Sequence, residues 1–198
     1  MKQYNELTDL FERANRSFLE NECALLHSTV SERTLCGALM LHMRDQIIED
    51  DSYDGYYVDV EYNRNRGKIK TICETVNGVD LHIVSVTCDL ILHSRGQHPE
   101  QDNLIAIEMK KSSRPDSEKQ KDRMRLIALT KDSFDDVWSF DGHTLPEHVC
   151  RYGLGVYYEI NYRRKEILIE YYKQGGLSTS YTIPAKPFTG RDFQWPKC

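Results

Sequence analysis

The chain predicts an α/β fold, on three observations. Apolar residues recur at helical spacing through the first fifty positions, strand-length apolar runs follow between turn-rich segments, and a charged helical stretch separates two of those runs from a later aromatic pair. In order, Tyr4 to Leu26 carries Leu7, Leu10, Phe11, Phe18 and Leu19 and reads as one amphipathic helix, continuous or broken. Glu32 to Ile48 is a stronger one, with Leu35, Leu39, Met43 and Ile47 on one face. Tyr56 to Tyr62 alternates as a strand does. Lys68 to Val84 adds one or two shorter strands around Asn77-Gly78, a hairpin-turn dipeptide. CDLILH and NLIAIEMK are two apolar strands joined by the polar connection SRGQHPEQDN. Pro115 stands where a helix can begin, and that helix runs to about Leu129. Tyr152 to Tyr162 and Glu166 to Tyr172 are strands joined by Arg163-Arg164-Lys165, and the tail of residues 175–198, with GGLSTS and three prolines, reads as loop.

A chain of 198 residues is long enough for one well-buried domain, which is the default expectation for residues 1–198. There is no apolar run of about 18 residues and no signal-peptide core in MKQYNELTDLFERANRSF, so no membrane partner and a cytoplasmic location are expected. Six cysteines with no CxxC pair read as reduced thiols used as small hydrophobes. A net charge of −5 excludes a wholly basic nucleic-acid footprint. Local basic segments remain in Arg64 to Lys70, Lys110 to Arg125 and Arg163 to Lys165, each either part of a substrate channel or a solvated face.

The chemistry concentrates between Thr87 and Ser112. Asp89 sits on one apolar run and Glu108 and Lys110 on the next, and alternation puts Glu108 and Lys110 on one face with Ile107 and Met109 on the other. If the two strands pair, two carboxylates and an ammonium meet near one end of the sheet. Carboxylate oxygens are the hard ligands that Mg²⁺ or Mn²⁺ prefers, and a lysine beside them can orient a nucleophilic water or stabilise developing charge. An acid two residues ahead of a lysine is expected about twice by chance at this composition. Glu108-Met109-Lys110 is the only such triplet here, and it ends the most strand-like run in the chain. The structural alternative is an exposed same-face pair on a strand edge.

Four stretches in order, SERTLCGALMLHM from Ser31, VDVEYNRNRG from Val58, CDLILHSRG from Cys88 and NLIAIEMKKS from Asn103, resemble the PD-(D/E)XK nucleases, the restriction-endonuclease-like superfamily. The likeness is closest to small stand-alone members and covers roughly residues 25 to 172. The proline of the family's name is Cys88 here, which removes no metal ligand. The resemblance implies a restriction-endonuclease-like core, a mixed central sheet flanked by helices. It implies Asp89 and Glu108 as metal-binding carboxylates, the Met109 carbonyl as a further ligand for Mg²⁺ or Mn²⁺, Lys110 as the catalytic lysine and Glu32 as a helix-borne acid completing the site. Glu32 has a second reading, since Thr29-x-x-Glu32 is a capping-box spacing.

Substrate contacts are expected from His93, Arg95, Lys111 and Arg125. His93 shares the parity of Asp89 and reads equally as a solvated strand-end histidine. Asp122 and Arg125 fit a pattern of the resembled proteins and read equally as an i,i+3 pair on a solvent face. His143, His148 and Cys150 lack a fourth nearby ligand and read as loop residues rather than a zinc set. The expected activity is metal-dependent hydrolysis of phosphodiester bonds in nucleic acid, of DNA before RNA because the superfamily is mostly DNA-directed. A duplex cutter usually needs two active sites, which makes a homodimer the expectation in that case. The reading from another class is a catalytically silent nuclease-like module that binds nucleic acid or protein.

Overall fold

The computed structural model describes residues 1–62, 87–132 and 151–185, and the backbone of 64–65, 68–69, 71–76 and 80–85. Among the described residues three long helices form, α1 (Tyr4–Asn21), α3 (Glu32–Ile48) and α4 (Asp116–Thr130), with a short α2 (Cys23–His27) between the first two. The expected first helix is therefore broken at Glu22, whose amide closes α1 on the Phe18 carbonyl. The described residues also form ten strands: β1 (Tyr57–Val60), β2 (Arg64–Asn65), β3 (Lys68–Ile69), β4 (Thr71–Val76), β5 (Asp80–Ser85), β6 (Leu90–His93), β7 (Asn103–Lys111), β8 (Leu154–Asn161), β9 (Glu166–Lys173) and β10 (Gly176–Pro184).

Six strands make the main sheet in the order β1-β6-β7-β8-β9-β10. β7 and β8 run parallel and the other neighbours antiparallel, so the sheet is mixed. Parallel neighbours need a crossover, and α4 lies within that connection, on the opposite face from α1 and α3. Alternation explains the layering. Leu90, Leu92, Ile107 and Met109 join Leu10, Phe11, Leu35 and Leu39 in the larger core. Ile91, Ala106 and Tyr157 join Leu126 and Leu129 of α4 in the smaller one.

β4 and β5 pair as an antiparallel hairpin with Val76 opposite Asp80; the Asn77-Gly78 dipeptide expected to turn it lies outside the described residues, as do His143, His148 and Cys150. Cys23, Cys36 and Cys88 are free thiols. Among the described residues no helix is long and apolar enough to cross a membrane.

The first part of the expected loop-like tail is corrected to a strand. β10 pairs along β9 as the sheet's edge. Gln174 and Gly175 both have positive φ, 50° and 74°, the backbone that a tight two-residue hairpin turn demands, so Gly175 joins two strands. The run LSTSYTI supplies β-branched and aromatic residues with a polar outer face, and Pro184 sits at the strand's end where no ladder amide is lost.

Where α4 crosses β8 the helix comes close because position 155 has no side chain. A Cβ there would lie 3.0 Å from Thr130 Cγ2 and 3.1 Å from Tyr172 Cβ. Gly155→Val is therefore expected to lift α4 off the sheet and cost about 1–3 kcal/mol, read as a lower urea midpoint with unchanged m-value; an unchanged midpoint would show that the helix does not need this close approach.

Candidate active site

The site forms where β7 outruns its neighbour. The β6 ladder begins at Leu90, opposite Ile107, so β7 continues through Glu108 to Lys111 with β8 on one side and, among the described residues, no strand on the other. Two amides on that free edge need acceptors, and two carboxylates provide them. Asp89 Oδ2 accepts from the Met109 amide at 2.8 Å, and Glu32 Oε1 accepts from the Lys111 amide at 2.9 Å. In a strand the N–H and C=O of one residue point the same way, so the Met109 carbonyl lies on this same edge, between the two carboxylates.

A cleft of about 700 Å³ opens there, lined in part by Glu32, Cys36, Asp89, Lys111 and Arg114. Glu32 is N1 of α3. The cap is Ser31, whose Oγ accepts from the Thr34 amide at 3.1 Å, so the capping box from Thr29 is not formed. With that role taken, the Glu32 carboxylate is turned to β7 and is also bonded by Arg114 at 3.3 Å. Burial opposes its charge, but the Arg114 and Lys111 hydrogen bonds outweigh it and hold this carboxyl below its ordinary range.

Glu108 and Lys110 do not line that cleft. They project from the other face of β7, under α4, as alternation requires. Glu108 is 1% exposed; its Oε1 accepts from Arg125 Nη1 at 2.7 Å, and its Oε2 is buried with no hydrogen-bond partner. Burial pushes the Glu108 carboxyl up to about 8, with Arg125 working against the shift and the charges of Asp89 and Asp122 adding to it. Burial likewise raises Asp89, opposed by the Met109 amide and Lys110. Lys110 Nζ lies 3.0 Å from Asp122 Oδ2. Its burial disfavours the ammonium, yet Asp122, Asp89 and Glu108 together hold it above its ordinary range. Three carboxylates and two cations thus share one seam, and acid is in excess.

The expected substrate contacts divide. Arg125 is in the seam, and Lys111 lines the cleft with its ammonium over the Tyr162 ring. His93 and Arg95 are instead brought together on Asp59 of β1, at 2.9 Å for the imidazole and 2.7 Å for Arg95 Nε. His93 is 1% exposed rather than a solvated strand end. The solvent-face reading of Asp122 is also corrected: it is 3% exposed, bridging Lys110 and Arg125. The sequence held the signal, because Asp122, Leu126 and Leu129 lie at i, i+4 and i+7 on the stripe of α4 that meets the sheet. Arg114 had no such signal.

No set of three or more His, Cys, Asp or Glu side chains among the described residues is gathered closely enough to hold a metal ion. Asp89 joins the two sides of β7: it bonds the Met109 amide on the free edge, and it is near enough to Glu108 for its charge to raise that carboxyl, so Asp89, Glu108 and the Met109 carbonyl are neighbouring donors, all of them hard oxygens. Glu108 Oε2 is buried with no hydrogen-bond partner, and the charges of Asp89 and Asp122 raise the cost of ionising that carboxyl, so a small divalent cation would relieve both. Comparison of the chain with known protein families, with curated proteins and with solved structures finds no match.

Proposed function

We propose that this protein is a divalent-metal-dependent nuclease with a restriction-endonuclease-like core of the PD-(D/E)XK kind, hydrolysing phosphodiester bonds, with DNA the preferred polymer. The observation that carries the reading is the buried Glu108 Oε2 with no partner, near Asp89 and two residues from Lys110 on the same face of β7. Asp89, Glu108 and the Met109 carbonyl would hold Mg²⁺ or Mn²⁺, which when bound lowers the pKa of a coordinated water and takes up charge on a phosphate.

The chain's own residues supply the rest. Lys110, kept protonated by three surrounding acids, is a hydrogen-bond donor rather than a base, and it orients the attacking water and the phosphate oxygen. Glu32, kept ionised by Arg114 and the Lys111 amide, braces the cleft side of β7 and offers acceptor oxygens there. Lys111, Arg114 and Arg33 place positive charge along the cleft where a phosphodiester backbone would run. The preference for DNA is an analogy with the resembled superfamily.

A second reading, a nuclease-like binding module without chemistry, draws on the Arg125–Glu108 pair, which already gives the buried acid a positive partner. Supercoiled plasmid, single-stranded DNA and RNA, each incubated with Mg²⁺ or Mn²⁺, separate the two. The nuclease reading expects metal-dependent cutting by the wild type and none by Asp89→Ala purified identically. Cutting that survives in Asp89→Ala places the activity elsewhere. An uncut set, with the nucleic acid still bound, favours the binding module.

A further inference from the structure

We propose that Arg125 is the built-in counter-ion of the candidate site, occupying in charge the place of a divalent cation and so setting how tightly that cation is held. The inference rests on the metal-site reading above and goes beyond it in assigning the site's own regulator of metal affinity. One nitrogen carries the observation. Arg125 Nη1 donates to Glu108 Oε1 at 2.7 Å and to Asp122 Oδ1 at 3.2 Å. Glu108 would contact the metal, and Asp122, on the helix behind it, is not among the donors named above. Asp122 also holds Lys110 Nζ at 3.0 Å, so a single buried aspartate anchors both cations of the seam.

The electrostatics then have a definite sign. Without a cation, Arg125 stabilises the ionised Glu108, and Asp122 keeps the guanidinium in place. With a cation on Asp89 and the free Oε2 of Glu108, Arg125 becomes a like charge a few ångströms away, and its repulsion weakens the metal. Asp122 works the other way, offsetting part of the guanidinium's charge and adding negative charge near the site. A phosphate arriving with the metal would cancel the repulsion, so metal and nucleic acid are expected to bind together more tightly than either binds alone.

The test measures stabilisation against heat as Mn²⁺ is titrated, at about pH 8.5 where protons compete least for carboxylates. Arg125→Gln is expected to reach half-maximal stabilisation at about a tenfold lower Mn²⁺ concentration than wild type, and Asp122→Asn at about a tenfold higher one. Arg125→Lys, which keeps the charge, should stay near wild type. A purely structural pair would lower stability in both variants and tighten metal in neither, so an unchanged or weaker Mn²⁺ response in Arg125→Gln overturns the inference. If Arg125→Gln does not fold, Asp122→Asn decides, since unchanged or tighter Mn²⁺ binding there is equally fatal. A wild type with no Mn²⁺ response abolished by Asp89→Ala overturns the metal-site reading itself, and the counter-ion with it.

Discussion

Lys110→Met is expected to reduce metal-dependent cleavage by about 10²–10⁴-fold while leaving Mn²⁺ binding intact or slightly tighter. The methionine keeps most of the buried stem of the lysine and removes only the ammonium. Asp122, deprived of Lys110, still has Arg125 at 3.2 Å, so the buried carboxylate is not abandoned and the fold should survive. Loss of a positive charge beside Asp89 and Glu108 cannot weaken a cation held there. The combination therefore isolates Lys110 as a group that acts on the substrate rather than on the metal. Single-turnover cleavage rates and Mn²⁺ thermal shifts on the same preparations check it. A variant that cuts normally would remove Lys110 from the mechanism, and one that loses Mn²⁺ binding would make it structural.

Glu108 should make the metal-free protein less stable as pH rises. Burial holds this carboxyl's proton up to about 8, whereas in the unfolded chain the proton leaves near the ordinary carboxylate value. Between those two values the folded state binds the extra proton, so stability falls as pH climbs through the window and levels off above it. The size is on the order of a few kcal/mol, with Arg125 already working to reduce it. Glu108→Gln has the same shape, keeps an acceptor for Arg125 and has no proton to lose, so its stability should be nearly flat from about pH 5 to 8. Urea midpoints in the presence of a chelator, compared across that range, test this. A wild-type curve as flat as the glutamine variant's would mean that Glu108 ionises without penalty and that the seam is wetter than its burial indicates. Restoring Mg²⁺ or Mn²⁺ at high pH should recover the lost stability in the wild type and not in the variant.

Much of this arrangement was legible in the chain. Alternation along Asn103–Lys111 set Glu108 and Lys110 on one face and Met109 on the other, because a pleated strand has no freedom in that respect. The apolar stripes of α1 and α3 and the start of α4 after Pro115 were equally local, since periodicity and backbone preference act within a few residues. β10 reads as loop in the chain because its glycine, serines and terminal Pro184 suggest one, while its two-residue turn and outer-edge place become evident only when β9 is beside it.

The charge pairing belongs to the tertiary structure alone. Whether Glu32 caps its own helix or reaches across to β7 depends on Ser31 taking the cap and on a free amide lying 79 residues away. Whether Asp122 and Arg125 face water or the sheet depends on Gly155 letting α4 settle onto β8. Strand and helix faces follow from local geometry, which the sequence by itself determines. Which buried charge meets which is a question of distance between segments far apart in the chain, and Coulomb and desolvation energies take their values only once those distances exist.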